Sequence, residues 1–191
     1  MLKPDGQPEG LLVDLWQLWS ERTGRPVTFR FTDWVETLEE VRTGRADIHS
    51  GLFRSAERET WLTFSTPLLP VATIVCYCGD DQPVTLAELD GRRVGVLTGS
   101  FQQAFLEEHH PGVIAVQFRR VDDILPAVAN GELRASLYES VSITSQLERL
   151  GLTGKLSWTP TPVFTSDVQA GVLKERDDLL QVVNAGLALI T

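Results

Sequence analysis

ADIHSGLFRSAERETWLTFSTPLL, residues Ala46–Leu69, is the stretch from which the rest of the chain can be read. A strand-like run, Ile48 to Phe53, breaks at Ser55. A short helix-forming segment follows, with Arg58 one turn into it, and β-branched residues resume toward Pro67–Tyr77. Strand, helix and strand in so few residues are the grammar of an α/β protein. A helix start offers unpaired N–H groups, and an arginine beside it adds a rigid fork of donors, so this is the best place in the chain for a small anion. By spacing alone, Arg58 serves equally well in an ion pair with Glu57 or Glu59.

Toward the N-terminus, Lys3–Gly10 is rich in turn residues. Leu11, Leu12, Leu15, Trp16, Leu18 and Trp19 then recur at helical spacing up to Gly24 and Pro26. Val27–Phe31 alternates and predicts a strand. Thr32 or Asp33 caps a helix whose apolar positions Val35, Leu38 and Val41 run to Gly44. Toward the C-terminus, a loop at Gly79–Pro83 leads to Thr85-Leu-Ala-Glu88, a capping box. Arg93–Leu97 reads as a strand, and Gly99 and Ser100 turn the chain into a helix from Phe101, with Ser100 and Gln103 repeating the capping logic. Further strands are expected at Val113–Phe118, Leu133–Tyr138 and Val168–Leu173. Helices are expected after Asp122 or Asp123, over Val141–Leu150 and over Asp177–Ile190, with Trp158–Pro162 a proline-stiffened connector.

WVETLEEVRTGRADI and DDILPAVANGELRAS both place apolar residues six and three positions before a glycine: Leu38, Val41 and Gly44 in one, Leu125, Val128 and Gly131 in the other. This echo predicts two lobes of similar build. One would comprise residues 1–77 plus 160–191 and the other 83–157, with hinges near 75–82 and 157–163.

The 191 residues suffice for one large domain or two small lobes, and 42% hydrophobic with 23% charged residues describes a globular chain. A net charge of −9 argues against nucleic acid as a partner and means that an anionic ligand needs a local cation. No apolar run approaches the roughly 20 residues of a membrane span. Cys76 and Cys78 lie two apart in a strand, about 7 Å between positions, so they read as two packed thiols rather than a disulfide. Two such ligands alone do not make a zinc site. His109 and His110 read as an exposed helix end and His49 as a structural residue. No nucleophile, zinc-protease or phosphate-loop motif is present, so no metal and no cofactor is expected.

Taken in order, PxGxxxG-x-x-VDL, W-x-x-x-L-x-x-V-x-x-G-x-x-D-I, S-x-x-ER-x-x-x-x-FS-x-P and L-x-x-L-x-G-x-x-VGV-x-x-GS resemble the bacterial extracellular solute-binding proteins of family 3, the amino-acid-binding Venus flytrap modules. The variant GLFRSAERETWLTFS is most similar to flytrap sensor domains of membrane-bound signalling proteins. The resemblance implies an α/β, two-lobed periplasmic-binding-protein-like (type II) fold with two hinge strands. Relative to that fold the chain is expected to be truncated at both ends, lacking the first strand and most of the last helix.

The resemblance also implies a site. Arg58 falls on the arginine that grips a ligand carboxylate, helped by the strand end around Ser50, Gly51 and Leu52. Gly99, Ser100 and Phe101 fall on the glycine-hydroxyl turn of the second lobe. Glu139 falls where an aspartate commonly receives the ligand ammonium, Tyr138 beside it is expected to line the site, and Trp34 falls at the edge of the cleft. Phe53 stands where many members carry a hydroxyl, Arg134 replaces a usual aspartate, and Glu139 is one methylene longer than aspartate. The implied protein is an extracytoplasmic sensor-input domain for a small carboxylate-bearing solute such as an amino acid, on the periplasmic or extracellular side of the cytoplasmic membrane, not an enzyme, and tethered to a membrane signalling protein. The alternatives are a transporter's receptor or a cyclohexadienyl dehydratase-like enzyme.

Overall fold

In the computed structural model, the structure describes residues 7–79 and 84–190. Most of the expected opening turn and of the Gly79–Pro83 loop lies outside them. Along the chain run α1 (Leu11–Thr23), α2 (Trp34–Arg42), β1 (His49–Phe53), β2 (Leu62–Cys78), β3 (Arg93–Leu97), α3 (Phe101–His109), β4 (Ile114–Phe118), α4 (Val121–Ala129), β5 (Ala135–Glu139), α5 (Ile143–Arg149), β6 (Leu156–Trp158), β7 (Phe164–Leu173) and α6 (Asp177–Leu187). Two compact units result, Met1–Leu69 with Asp167–Thr191, and Pro70–Ser166. The divisions fall inside β2 and β7, so residues 70–77 and 160–166, expected in the first lobe, pack with the second unit. Among the described residues no helix is long and apolar enough to cross a membrane.

In the first unit β7 lies between β1 and the first half of β2. Trp16 and Trp19 of α1 are 2% and 4% exposed and pack on Ala170, Val183 and Leu187. The Trp19 indole donates to the Val183 carbonyl at 3.1 Å, and Gly186 leaves the ring no competing Cβ. An indole burying its rings while keeping its N–H bonded is the economical way to fill a helix interface. Asp33 caps α2, its Oδ1 accepting the Glu36 N–H at 3.0 Å.

The strand expected at Val27–Phe31 does not form. Val27 and Phe29 turn inward and their neighbours outward, but the segment joins no ladder. Period-two burial occurs without strand pairing, because alternation reports which side chains are covered and not what the backbone bonds.

In the second unit the order is β2, β5, β3, β4, with β6 also on β2. β3 runs parallel to β4 and to β5, while β5 is antiparallel to β2. Alternate residues of β2 enter different layers, Ile74 and Cys76 on one face, Val75 and Tyr77 on the other. The sheet is therefore covered on both sides, as its parallel strands require. Two local expectations change here. Asp122 does not cap α4, whose N-cap Arg120 makes no side-chain cap bond; it binds Arg149 and Gln146 on α5 instead. The expected connector Trp158–Pro162 begins within a strand, since Trp158 is the last residue of β6 and pairs with Cys76 of β2.

The sequence echo has a shared geometry. After α2 and after α4, Gly44 and Gly131 take φ of 72° and 76°. In both, the glycine N–H reaches back three residues, to Val41 and Val128, and the N–H two residues later reaches the carbonyl of Glu40 or Ala127. A left-handed residue closing a helix in this way favours glycine because any Cβ is strained there.

Candidate functional site

The residues singled out above fall into two sets, one in each unit. In the first unit the β1–β7 ladder slips between His49 and Leu52, so that Ser50 and Gly51 face a single residue, Ala170. Such a bulge re-aims a strand end. Ser50 is exposed and its carbonyl accepts the Trp16 indole N–H at 2.8 Å. At Gly51 a Cβ would lie 2.7 Å from Leu12 Cδ1 and 2.8 Å from Val168 Cγ1, so the bulge demands glycine. Leu52 and Phe53 turn into the core, each 3% exposed.

Arg58 opens a three-residue 3-10 turn, Arg58–Thr60, and its N–H lies 3.3 Å from Ser55 Oγ. The expected short helical segment is thus present as a 3-10 turn, with Arg58 at its first residue rather than one turn into it. So short a turn has no useful macrodipole, and the guanidinium itself must carry any anion binding. That group is 4% exposed. Its Nη1 donates to the Phe53 carbonyl at 2.6 Å, and its Cζ lies 5.3 Å from the centroid of the Trp34 ring, on the first residue of α2. Glu59 is engaged by Arg54. Burial pushes Arg58 down to about 10, so it remains a cation at neutral pH.

In the second unit β3 and β5 are parallel, and their carboxyl ends lead into Gly99-Ser100 and into Glu139 respectively. The carboxyl ends of parallel strands are where α/β proteins bind ligands. Gly99 takes φ +69° and its N–H donates to Gln103 Oε1 at 2.8 Å. Ser100 caps α3, Oγ accepting the Gln103 N–H at 3.1 Å, which leaves the hydroxyl proton to be donated elsewhere. The expected capping box is thus half met: Gln103 reaches Gly99 rather than the Ser100 backbone. Phe101 stands edge-on to Phe164, centroids 5.4 Å apart.

Tyr138 is buried and its hydroxyl is pushed upward by that burial. Glu139 is half-buried, and burial raises its carboxyl above the ordinary range against the opposing pull of a hydrogen bond with Gln102. Gln102 is 7% exposed and its Nε2 also donates to Thr73 Oγ1 at 3.4 Å. Thr73 is the cross-strand partner of Glu139. Arg134, noted above as a departure, precedes β5 and lines a shallow surface hollow with Arg92 and Arg93.

Gln102 was not among the residues expected at the site. Gln102 had a signal: it precedes buried Leu106 by four residues, so an amide occupies the inward face of α3.

The chain is an α/β module in which Arg58 follows the bulged strand β1 and the capped helix α3 follows the parallel strand β3. It belongs to the bacterial extracellular solute-binding proteins, family 3, whose model matches residues 1–191. Among its relatives is virulence sensor protein BvgS of Bordetella pertussis (strain Tohama I), 26% identical over an alignment of 194 residues that covers 100% of this chain and 16% of BvgS. This chain therefore spans about a sixth of that relative's length. The crystal structure of the BvgS periplasmic VFT2 domain matches with TM-score 0.85 and 27% identity, over 99% of this chain and 81% of that one. A histidine kinase sensor domain with similarity to periplasmic binding proteins matches with TM-score 0.93 and 24% identity, over 100% and 83% of the two chains. ABC transporter arginine-binding protein 1 of Escherichia coli (strain K12) is 24% identical over 185 residues, 95% of this chain and 75% of that protein. The periplasmic-binding-protein-like α/β fold expected from sequence is thereby established, and the family is an extracellular one.

Proposed function

We propose that the chain is an extracytoplasmic sensor-input domain that binds a small carboxylate-bearing solute, with an amino acid as the first class to test. The observation that carries this reading is the Arg58 guanidinium, buried, held by the Phe53 carbonyl and faced by Trp34. A guanidinium kept charged in a low-dielectric setting, with the Glu57 carboxylate acting on it from nearby, is a strong donor for an anion. In the second unit, the α3 start at Gly99–Phe101 is the contribution suited to a carboxylate, and Glu139 the one suited to an ammonium. Tyr138, Phe53 and the Ser50–Leu52 bulge shape these groups.

Likeness to BvgS and to a histidine kinase sensor domain supports a sensor tethered to a membrane signalling protein, with occupancy as the signal. The second reading is a transporter's receptor, favoured by the arginine-binding relative of which this chain covers 75%. The named relatives are sensor and binding proteins, and we infer binding without catalysis.

Calorimetry with the twenty L-amino acids and a panel of small carboxylates tests the reading. Binding of at least one is expected, with loss in Arg58→Ala; no heat and no thermal shift with any of them would overturn it. The full-length gene separates sensor from receptor: a following membrane span and kinase or cyclase domain is expected, and a chain that ends at the binding fold would refute the sensor assignment.

A further inference from the structure

We propose that His49 is a positioning residue for the Arg58 anion site: its imidazole, fixed as the neutral Nε2–H tautomer, sets the Trp34 indole against which the Arg58 guanidinium lies. The inference rests on the reading of Arg58 given above.

His49 is on β1, just before the bulge, and 6% exposed. Its ring stands edge-on to Trp34, centroids 5.3 Å apart at 75°, while the Arg58 Cζ lies 5.3 Å from the same indole. Both ring nitrogens are engaged. Nε2 is 3.1 Å from Thr37 Oγ1, and Nδ1 is 3.3 Å from the Gly51 N–H. The tautomer follows from the partners. The Thr37 hydroxyl has one proton and lies 2.6 Å from the Trp34 carbonyl, a group that can only accept. That proton is therefore given to Trp34, and Thr37 Oγ1 must accept from His49, which places a proton on Nε2. The Gly51 N–H can only donate, so Nδ1 is bare. Two unrelated bonds require one and the same tautomer.

The imidazole holds Trp34 twice, by ring contact and, through Thr37, by the carbonyl that starts α2. Burial and the charge of Arg58 push His49 down to about 4, so at neutral pH it is uncharged while Arg58 is a cation. Leucine would fill the same volume, but it could neither give Thr37 a donor nor accept from Gly51. A buried polar ring with both nitrogens bonded orients its neighbours in a way that an apolar one does not.

The test uses the 15N-labelled chain. Long-range nitrogen–proton spectra are expected to show His49 with a protonated Nε2; a protonated Nδ1 would overturn the proposal. In His49→Leu, solvent exchange of the ligand-free Arg58 Nε–H is expected to quicken about tenfold, the equivalent of one lost buried hydrogen bond. Those L-amino acids that bind the wild type should bind about tenfold more weakly. His49→Gln, whose amide N–H reaches the place of Nε2, should restore both, a rescue that a purely space-filling role would not give. Unchanged Arg58 exchange in His49→Leu refutes the proposal. Quickened exchange together with a wild type that binds no amino acid or small carboxylate refutes the reading of Arg58 instead. Should His49→Leu fail to fold, Thr37→Val removes the other end of the relay, and Arg58 exchange that stays at the wild-type rate there refutes the proposal equally.

Discussion

Replacing Arg58 with methionine separates what the buried guanidinium costs from what it does. Burial lowers Arg58 from 12.5 to about 10, a fall of about 2.5 that, at ~1.4 kcal/mol for each, amounts to roughly 3 kcal/mol held against the charged form. The charge of Glu57 already opposes that fall, and two further interactions offset it. The bond to the Phe53 carbonyl is worth about 1.5–3 kcal/mol as a charge-assisted hydrogen bond, and the Trp34 face about 0.5–2 kcal/mol. These nearly cancel, and methionine has the length and flexibility to fill the space. The ligand-free variant is therefore expected within about 1 kcal/mol of wild type in urea denaturation. Binding should behave differently: two charge-assisted bonds to a carboxylate are worth at least about 3 kcal/mol, so affinity for an amino acid or small carboxylate should fall roughly 100-fold or more in calorimetry. Unfolding weakened by more than about 3 kcal/mol with affinity within twofold of wild type would make Arg58 a scaffold cation and refute the reasoning.

Glu139→Gln bears on pH. Because burial raises the Glu139 carboxyl above 4.5, its favourable contribution is complete below about 4.5 and is lost as pH rises through the higher folded value. The glutamine variant should therefore be the more stable at pH 7, with the difference gone near pH 4; urea midpoints at the two pH values measure this, and an equal difference at both would contradict it. Gly51→Ala should cost about 1–3 kcal/mol, since its Cβ would press on Leu12 and Val168, and a melting temperature at the wild-type value would show the bulge to be looser than it is here. Cys76 is buried with its thiol pushed up to about 12, whereas Cys78 is half-buried. Iodoacetamide on native protein should thus modify Cys78 first, as read by peptide mass spectrometry, and comparable rates at both would refute that difference.

Much of the local structure was legible because its causes are local. Gly24 and Gly44 end helices with φ of 67° and 72°, Asp33 caps α2, and Thr85 with Glu88 forms the expected capping box. Each depends on a few consecutive residues. Where the reading erred, the deciding group was distant or the pattern had two causes. Asp122 is drawn from the cap by Arg149, 27 residues on. The alternation of Val27–Phe31 came from packing rather than pairing. β2 begins at Leu62, earlier than the expected Pro67–Tyr77, so that both Pro67 and Pro70 lie well within the strand.

By itself the sequence determined the α/β class, the family and the choice of Arg58, Gly99–Phe101 and Glu139 as candidates, because ordered motifs and capping residues survive in one dimension. Only the tertiary structure decided that Arg58 lies buried against Trp34 with its fork on the Phe53 carbonyl, that Gln102 and Thr73 stand beside Glu139, and that His49 is locked in one tautomer. Those facts depend on groups from separate elements, Trp34 with Arg58 and Thr73 with Gln102, being brought within contact distance, and on water being excluded from around them. Neither proximity nor desolvation is written in the spacing of residues along a chain.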